Sequence, residues 1–386
     1  MKIKTMLCLA LCVALTISVQ FASAEGYRTT VGEGSDQIPL LVVTGTPYEM
    51  GFAVGSLMKE ETHKVLQGFL HLARMGDEER FSDETLDAAW ESVSPHTHEA
   101  FKEELRGIAE GSGLDLQDVI RAHMVPVVAD YACSGVAFWG DRVENGHLLQ
   151  IRNLDYETRA GLQDYPAVVI YIPKEGVPHV CPTFAGCAGA NTGMNYAGIA
   201  LTEIGDTPAS DWPFNLDGVH FTSLFRDILA NAKDLDTAVG MIKDAPRIKK
   251  YHYVFGSGDE KKAVKMKAHA PNLEIWGAND PTDELAPKTI TDGVYHCEGR
   301  DPLAWKHIPE NSPYNPETMV DLSRTVATKG GNLLNVVYDA TAREVWVAYA
   351  EKDENAYLRP YVHIKMSDYI PYQPKENSVN LTKATN

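Results

Sequence analysis

The chain has 386 residues, of which 44% are hydrophobic and 23% are charged, and its formal net charge is −18. This composition is typical of a globular protein with one large or two ordinary domains, and it excludes an intrinsically disordered chain. Because so acidic a surface repels nucleic acid and anionic lipid, we expect neither as a partner.

The first 24 residues have the pattern of a secretory signal peptide. Lys2 and Lys4 precede an apolar run over residues 6–17, and the run Ala-Ser-Ala at 22–24 supplies the small residues of a cleavage site. A membrane anchor needs about 18 or more apolar residues, and this run is shorter. We therefore predict cleavage after Ala24, a secreted or periplasmic protein and no stable membrane insertion. Loss of two lysines and no acidic residue takes the formal charge from −18 to −20.

One short strand and three helices are predicted before residue 132. The strand covers residues 38–43, and a helix with apolar residues every three or four positions begins at Pro47. A second helix covers residues 96–109, and Asp115 caps a third that runs to residue 128.

Two residue pairs in these helices have alternative interpretations. Gly51 and Gly55 lie four residues apart, which we interpret as close packing against another element in preference to a phosphate-binding loop. His96 and His98 lack partners at metal-ligand spacing, so we interpret them as surface residues and predict no metal site.

The stretch over residues 132–155 predicts a β-hairpin. Two strand-like runs flank Asn145-Gly146, a pair that tolerates positive φ and is typical of hairpin turns. Such a hairpin would bring Cys133 near Arg152 and Asp155. A thiol beside a guanidinium and a carboxylate is a candidate nucleophile, and a buried structural cysteine above an ordinary ion pair is the alternative.

After the hairpin, strands and helices come in blocks. The predicted strands cover residues 167–172, 179–184, a glycine-rich pair within 186–204, 251–255, 263–267, 333–338 and 345–349, and the predicted helices cover 219–230 and 234–243. Because strand and helix do not alternate regularly, we predict an α+β fold of stacked antiparallel sheets with helical layers outside.

Four cysteines remain in the exported chain: Cys133, Cys181, Cys187 and Cys297. An oxidising compartment favours disulfides, and an even count permits two. If Cys133 is a working thiol, Cys181 and Cys187 are the only close pair left. A disulfide between them and two buried free thiols are both compatible with the sequence.

Four sequence blocks occur in one order between residues 45 and 361. They are Gly45, Pro47, Tyr48, Glu49 and Gly51 with Gly55; the run Glu-Leu-Arg-Gly-Ile-Ala-Glu-Gly at 104–111; Cys133-Ser134 with Arg152-Asn153-Leu154-Asp155; and the run Gly-Met-Asn-Tyr-Ala-Gly-Ile-Ala at 193–200. Together they resemble the penicillin acyltransferase-like cysteine amidohydrolases, N-terminal nucleophile enzymes related to choloylglycine hydrolases.

This resemblance implies a four-layer αββα sandwich that is made as a precursor and cuts itself between Ala132 and Cys133. Residues 25–132 would then be a mostly helical small subunit that stays bound without a covalent link, and residues 133–386 would form the catalytic subunit. A homo-oligomer is possible.

The chemistry expected of a terminal Cys133 needs no histidine. The reference pKa values of an α-amine and a thiol, about 8 and about 8.5, are close enough for the amine to accept the thiol proton near neutral pH. By the resemblance, Arg152 favours the thiolate and Asp155 orients the terminal ammonium.

The oxyanion-binding donors of the family cannot be identified in this sequence. Glu203 lies in the run 201–204, where relatives often carry an asparagine, and Glu298 lies where they carry a second one. An anionic glutamate cannot donate to an oxyanion, so Glu298 is either protonated or receives a substrate amine or hydroxyl. Asn191 and Asn195 are further candidates, although Asn195 also fits a turn.

The resemblance predicts hydrolysis of a linear non-peptide amide in a small acylated amine, through an acyl-thioester on Cys133 and without a cofactor. Three alternatives remain: a phospholipase B-like lipid hydrolase, an acyltransferase, and a non-catalytic binding protein on the same fold. A papain-like protease is disfavoured because the signature around its cysteine is absent.

Overall fold

The computed structural model describes residues 25–205, 213–308 and 313–371. The predicted signal peptide lies outside these ranges. The strands are β1 (Glu25–Val31), β2 (Ile38–Gly45), β3 (Ala132–Phe138), β4 (Leu149–Asp155), β5 (Pro166–Pro173), β6 (His179–Phe184), β7 (Thr192–Asn195), β8 (Ile199–Ile204), β9 (Lys250–Ser257), β10 (Lys262–His269), β11 (Asn272–Trp276), β12 (Gly293–His296), β13 (Leu334–Asp339), β14 (Glu344–Tyr349) and β15 (Val362–Lys365).

The α-helices are α1 (Pro47–Leu57), α2 (Lys59–Gly76), α3 (Asp83–Val93), α4 (Glu99–Ser112), α5 (Leu116–Val128), α6 (Phe221–Asn231), α7 (Leu235–Asp244), α8 (Asp301–His307) and α9 (Pro316–Val326). Within the three described ranges, no helix is both long enough and apolar enough to cross a bilayer.

Two sheets form the middle of the molecule. The larger has nine strands in the order β1-β2-β5-β6-β7-β8-β9-β10-β11, and the smaller has six in the order β12-β3-β4-β13-β14-β15. The strand pairs are antiparallel except for β2 and β5, which run parallel. The Gln150 side chain joins the sheets, because its amide donates to Ala200 O, Thr202 Oγ1 and Val254 O on the facing sheet.

Helices cover the outer face of each sheet. Helices α1, α6 and α7 pack on the nine-stranded sheet, and α8 and α9 pack on the six-stranded one. A separate apolar cluster fills the space under α9, where Phe138 and Ile151 of the small sheet meet Met319 and Leu322. The predicted α+β fold of stacked sheets between helical layers is confirmed.

Helices α1 and α4 pack closely at Gly51 and Gly55 of α1. Thr46 and Glu49 form a capping box at the start of α1. A Cβ on Gly51 would lie 2.3 Å from Glu104 O, and one on Gly55 would lie 2.5 Å from Ile108 O. The glycines therefore allow the two backbones to touch, as the close-packing interpretation predicts.

The predicted hairpin is formed by β3 and β4. Cys133 pairs with Leu154, and Gly135 pairs with Arg152. The first strand ends at Phe138, earlier than the sequence pattern indicated, and residues 139–148 connect the strands through a short 3-10 turn. Gly146 has φ +66 in this connection, which is therefore longer than a two-residue turn.

Candidate active site

The hairpin places Cys133 between the two sheets, in contact with a buried acid. The side chains of Cys133, Arg152 and Glu203 are all fully buried. The Cys133 Sγ donates to Glu203 Oε2 over 3.9 Å, and Arg152 Nη2 lies 3.6 Å from the same oxygen. The Glu203 carboxylate, which β8 supplies from the facing sheet, thus bridges the thiol and the guanidinium.

Burial governs the protonation of this cluster. It raises the pKa of Glu203 from 4.5 to about 7, although the positive charges of Arg152 and Lys249 act in the opposite direction. Burial also raises the pKa of the Cys133 thiol, and Arg152 lowers it. The thiol of the uncut chain therefore keeps its proton at neutral pH, and Glu203 is a nearby acceptor that is partly ionised there.

Asp155 lies at the end of β4, opposite Ala132 at the start of β3. Its carboxylate accepts hydrogen bonds from the Thr328 N–H and from Asn332 Nδ2, both at 3.0 Å, and it pairs with Arg300 Nη2 at 2.5 Å. Burial raises the pKa of Asp155, and these donors lower it. The carboxylate is thus held beside the bond that would be cut.

Arg300 joins the site from the loop between β12 and α8. Besides Asp155, its Nη2 approaches Ser134 Oγ at 2.9 Å and Cys133 O at 3.3 Å, and its Nε donates to Val326 O at 2.7 Å. Sequence reasoning missed this residue, because it lies in no catalytic motif. Its position two residues after Glu298 was the one available signal.

The remaining candidates from the sequence lie in different places. Asn191 lines a pocket together with Arg152. Asn195 is buried in the β7–β8 turn, where its Oδ1 accepts the N–H groups of Ala197 and Ile199 and its Nδ2 donates to helix α6 and to the residue that follows it. These bonds give Asn195 a structural role. Glu298 lies half-buried in the turn before Arg300.

An apolar pocket is lined by residues that neighbour Cys133. Its cavity volume is about 90 Å³, and Arg152 and Asn191 are among its few polar residues. Tyr131, two residues before Cys133, and Leu154, its partner on β4, also line it. The rest of its wall comes mainly from Leu66 and Phe69 of α2, from Ala122, His123 and Pro126 of α5, and from Leu162, Phe184, Cys187, Ala188 and Thr222.

Two further residue pairs were considered in the sequence analysis: Cys181 with Cys187 as a disulfide, and His96 with His98 as metal ligands. Cys181 and Cys187 are both free, so the disulfide alternative is not formed in the structure. His96 Nε2 contacts Asp217 Oδ1 at 2.7 Å. Among residues 25–205, 213–308 and 313–371, no group of three or more side chains is arranged to hold a metal ion.

Comparison with known proteins gives relatives in sequence and in structure, although no family model matches the chain. Protein dcd1B of Dictyostelium discoideum is 24% identical over 398 residues, which cover 92% of this chain and 79% of the relative. The N-acylethanolamine-hydrolyzing acid amidase of Mus musculus is 25% identical over 241 residues, which cover 60% of this chain and 59% of the relative.

Two solved structures have lower identity. The Caenorhabditis elegans ortholog of that amidase has a TM-score of 0.43 and 14% identity, and the match covers 54% of this chain and 93% of that one. Penicillin V acylase from Agrobacterium tumefaciens has a TM-score of 0.41 and 14% identity, with 61% and 86% covered. The sequence similarity to the mouse amidase confirms the resemblance predicted from the four sequence blocks. The chain is therefore similar in sequence to an amide-hydrolysing enzyme.

Proposed function

We propose that the protein is a cysteine amidohydrolase that cuts itself before Cys133 and then hydrolyses the amide bond of a small acylated amine. The observation that carries this proposal is a buried thiol in contact with Glu203, whose partner Arg152 lines an apolar pocket. The amide hydrolases among the relatives support the reaction type.

Self-cleavage needs a base that is present before the new terminus exists. Glu203 meets this need, because its pKa of about 7 leaves it partly ionised near neutral pH and its Oε2 lies 3.9 Å from the thiol. The Cys133 sulfur attacks the Ala132 carbonyl, the peptide bond to the Cys133 nitrogen breaks, and the acyl group passes to sulfur. Glu203 takes the thiol proton and passes it to the departing Cys133 nitrogen, which becomes the α-amine when the peptide bond breaks. Water then hydrolyses the thioester to the Ala132 carboxylate and the free Cys133 thiol.

The same sulfur serves in the second reaction. The free α-amine takes the thiol proton, and the thiolate, stabilised by Arg152, attacks the amide carbonyl of the substrate. The C–N bond breaks, and the departing amine takes a proton from the terminal ammonium. Water releases the acid from the thioester. Asn191 is the candidate donor to the oxyanion, and Asp155 orients the terminal ammonium.

The pocket favours an apolar acyl group. Its wall is built from leucine, phenylalanine, alanine and proline side chains, so a hydrocarbon chain is stabilised there by the loss of water contact. An acylated amine such as an N-acylethanolamine, which the printed name of the mouse relative mentions, fits this lining.

The small subunit must stay bound after the cut. Strands β1 and β2 belong to the nine-stranded sheet, and α2 and α5 supply part of the pocket wall. Dissociation would therefore open both the sheet and the pocket. The signal pattern of residues 1–24 supports a location outside the cytoplasm, where the exported enzyme meets its substrate.

The test is hydrolysis of a substrate panel by purified protein. The panel contains N-acylethanolamines, N-acyl amino acids, penicillin V, bile-acid conjugates and a phospholipid ester, each with and without hydroxylamine as a competing acceptor. We expect free acid from an apolar N-acyl amine without hydroxylamine, none from Cys133→Ala, and unchanged activity in Cys181→Ala, a buried free thiol on β6. Hydrolysis of the phospholipid alone would favour the lipid hydrolase, and product only with an added amine would favour a transferase.

A further inference from the structure

Arg300 is fixed in place by its own backbone. Glu298 and Gly299 have φ of +24 and +73, so the chain reverses immediately before it. The Arg300 N–H then donates to Cys297 O at 2.9 Å, and Arg300 is the N-cap residue immediately before helix α8. The turn fixes the Arg300 backbone, and the planar guanidinium is pre-organised, so less freedom is lost for each hydrogen bond that it forms.

The guanidinium connects three elements around the nucleophile. It reaches Cys133 O and Ser134 Oγ on β3, Asp155 on β4 and Val326 O at the end of α9. The Asp155 carboxylate is almost completely buried, whereas the Arg300 side chain is 21% exposed. This ion pair therefore lies at the border between solvent and the buried site.

We propose that Arg300 is a positioning residue: it holds Asp155 beside the start of β3 and offsets its negative charge, so that the terminal amine of Cys133 can release a proton and accept that of the thiol. This inference rests on the proposed function, because the amine exists only after the cut. The carbonyl that Arg300 contacts belongs to Cys133 itself, whereas the oxyanion of the self-cleavage would form on the Ala132 carbonyl.

The charges around Cys133 show why the offset matters. Arg152 and Asp155 face it from β4, and Glu203 faces it from β8. Arg300 forms the ion pair with the Asp155 carboxylate, so without it the negative charge of Asp155 acts on Cys133 with less compensation. Because negative charge stabilises an ammonium and destabilises a thiolate, both groups would then keep their protons to higher pH.

Other titratable groups lie further out on neighbouring elements. Tyr131 precedes β3, and burial raises its pKa well above the ordinary value, with the Glu203 charge adding to the shift. Lys249 before β9 is tied to Ala129 O at 2.6 Å. Lys329 lies near Asp155 and Arg300, and burial lowers its pKa. Cys297 and Asp301 flank Arg300, and the pKa of Cys297 is raised first by burial and then by Asp301.

The experiment measures alkylation of Cys133 against pH in the processed protein. Iodoacetamide labels the thiolate, and mass spectrometry of the Cys133 peptide separates it from the other cysteines. We expect the midpoint of the labelling rate to rise by about one pH unit in Arg300→Gln and to stay near the wild-type value in Arg300→Lys. Arg142→Gln, which removes an arginine at the far end of the same hairpin, is the matched control and should not shift the midpoint.

Processing and melting temperature are followed in the same samples. An Arg300→Gln variant that melts like the wild type but stays uncut, beside an Arg300→Lys variant that is cut, would show that Arg300 acts before the amine exists and would overturn the proposal. A wild-type midpoint in Arg300→Gln would overturn it, and so would failure of Arg300→Lys to differ from Arg300→Gln.

The labelling assay needs no substrate, so the two proposals can fail separately. An uncut wild-type chain that hydrolyses no amide refutes the proposed function. A wild-type chain that is cut and active, with an unshifted midpoint in Arg300→Gln, refutes the inference about Arg300 alone.

Discussion

Replacing Glu203 with glutamine should stabilise the uncut protein at alkaline pH and change its stability little at acid pH. The pKa of Glu203 is raised from 4.5 to about 7 by burial. Between these values the folded chain holds a proton that the unfolded chain has lost, so the wild-type protein loses stability as the pH rises through this window. Glutamine does not ionise, so the stability of the Glu203→Gln variant does not fall in this pH window.

The size of the effect follows from the shift. One pKa unit corresponds to about 1.36 kcal/mol, so Glu203→Gln should be more stable than the wild type by about 3 kcal/mol at pH 8. The variant also loses the ion pair between Glu203 and Arg152, but this loss does not make it less stable than the wild type. At pH 5 the wild-type Glu203 is itself protonated, so Arg152 has no ionised partner there in either protein, and the two should be about equally stable.

The assay is urea denaturation at pH 5, 6, 7 and 8 in a Cys133→Ala background, which keeps the chain in one piece. The exposed Glu157→Gln is the matched control and should follow the wild type at every pH. A difference between Glu203→Gln and the wild type that stays constant over this range would refute the raised pKa. A Glu203→Gln variant that is less stable at pH 8 would show that the ion pair with Arg152 is net stabilising.

Two further predictions concern the support of the site and the packing of the helices. Asp155→Asn should fold, yet its Cys133 should react with an alkylating agent more slowly near neutral pH. The lost negative charge by itself favours the thiolate, but the terminal amine is no longer held where it accepts the thiol proton; equal or faster rates in peptide-resolved labelling would contradict that role. Gly51→Ala should lower the free energy of unfolding by about 1–3 kcal/mol, since its Cβ would lie 2.3 Å from Glu104 O. Gly68→Ala, with no atom near the added methyl, should instead gain about 0.5–1 kcal/mol in the same denaturation experiment.

Local patterns predicted the parts of the structure that depend on neighbours in sequence. The hairpin follows from two strand-like runs around a turn, and its register alone brings Cys133 opposite the strand that carries Arg152 and Asp155. The capping signals of α1 and α5 also lie within a few residues of the helix ends. The first strand was predicted too long, because the apolar Val143 extends the pattern beyond Phe138.

Contacts between distant parts of the chain could not be predicted in this way. Asn332 meets Asp155 across 177 residues, and Arg300 meets it across 145. The long helix α2 and helix α3 carry no catalytic motif, and the sequence analysis did not predict them. Glu203 was identified only because it departs from a family pattern, and its contact with Cys133 requires the two sheets to face each other.

The hydrogen bonds of Asn195 agree with the turn role that its sequence position fits. Asn195 lies in a family block, which made it a candidate donor to the oxyanion as well. In the structure its side-chain oxygen and nitrogen are used by backbone groups at Ala197, Ile199, Leu229 and Ala232. A turn asparagine and a catalytic asparagine are indistinguishable until these partners are placed.

The most direct test of the account is the intact mass of the exported protein together with the terminal sequence of its larger part. We predict two chains of about 12 and about 28 kDa, in proportion to the 42.5 kDa of the 386 residues, that copurify and separate only under denaturing conditions. The larger chain should begin with Cys133 and carry a free amine. Cys133→Ala should give one uncut chain with the same melting behaviour. A wild-type protein that stays uncut, or that is cut at another residue, would contradict the account.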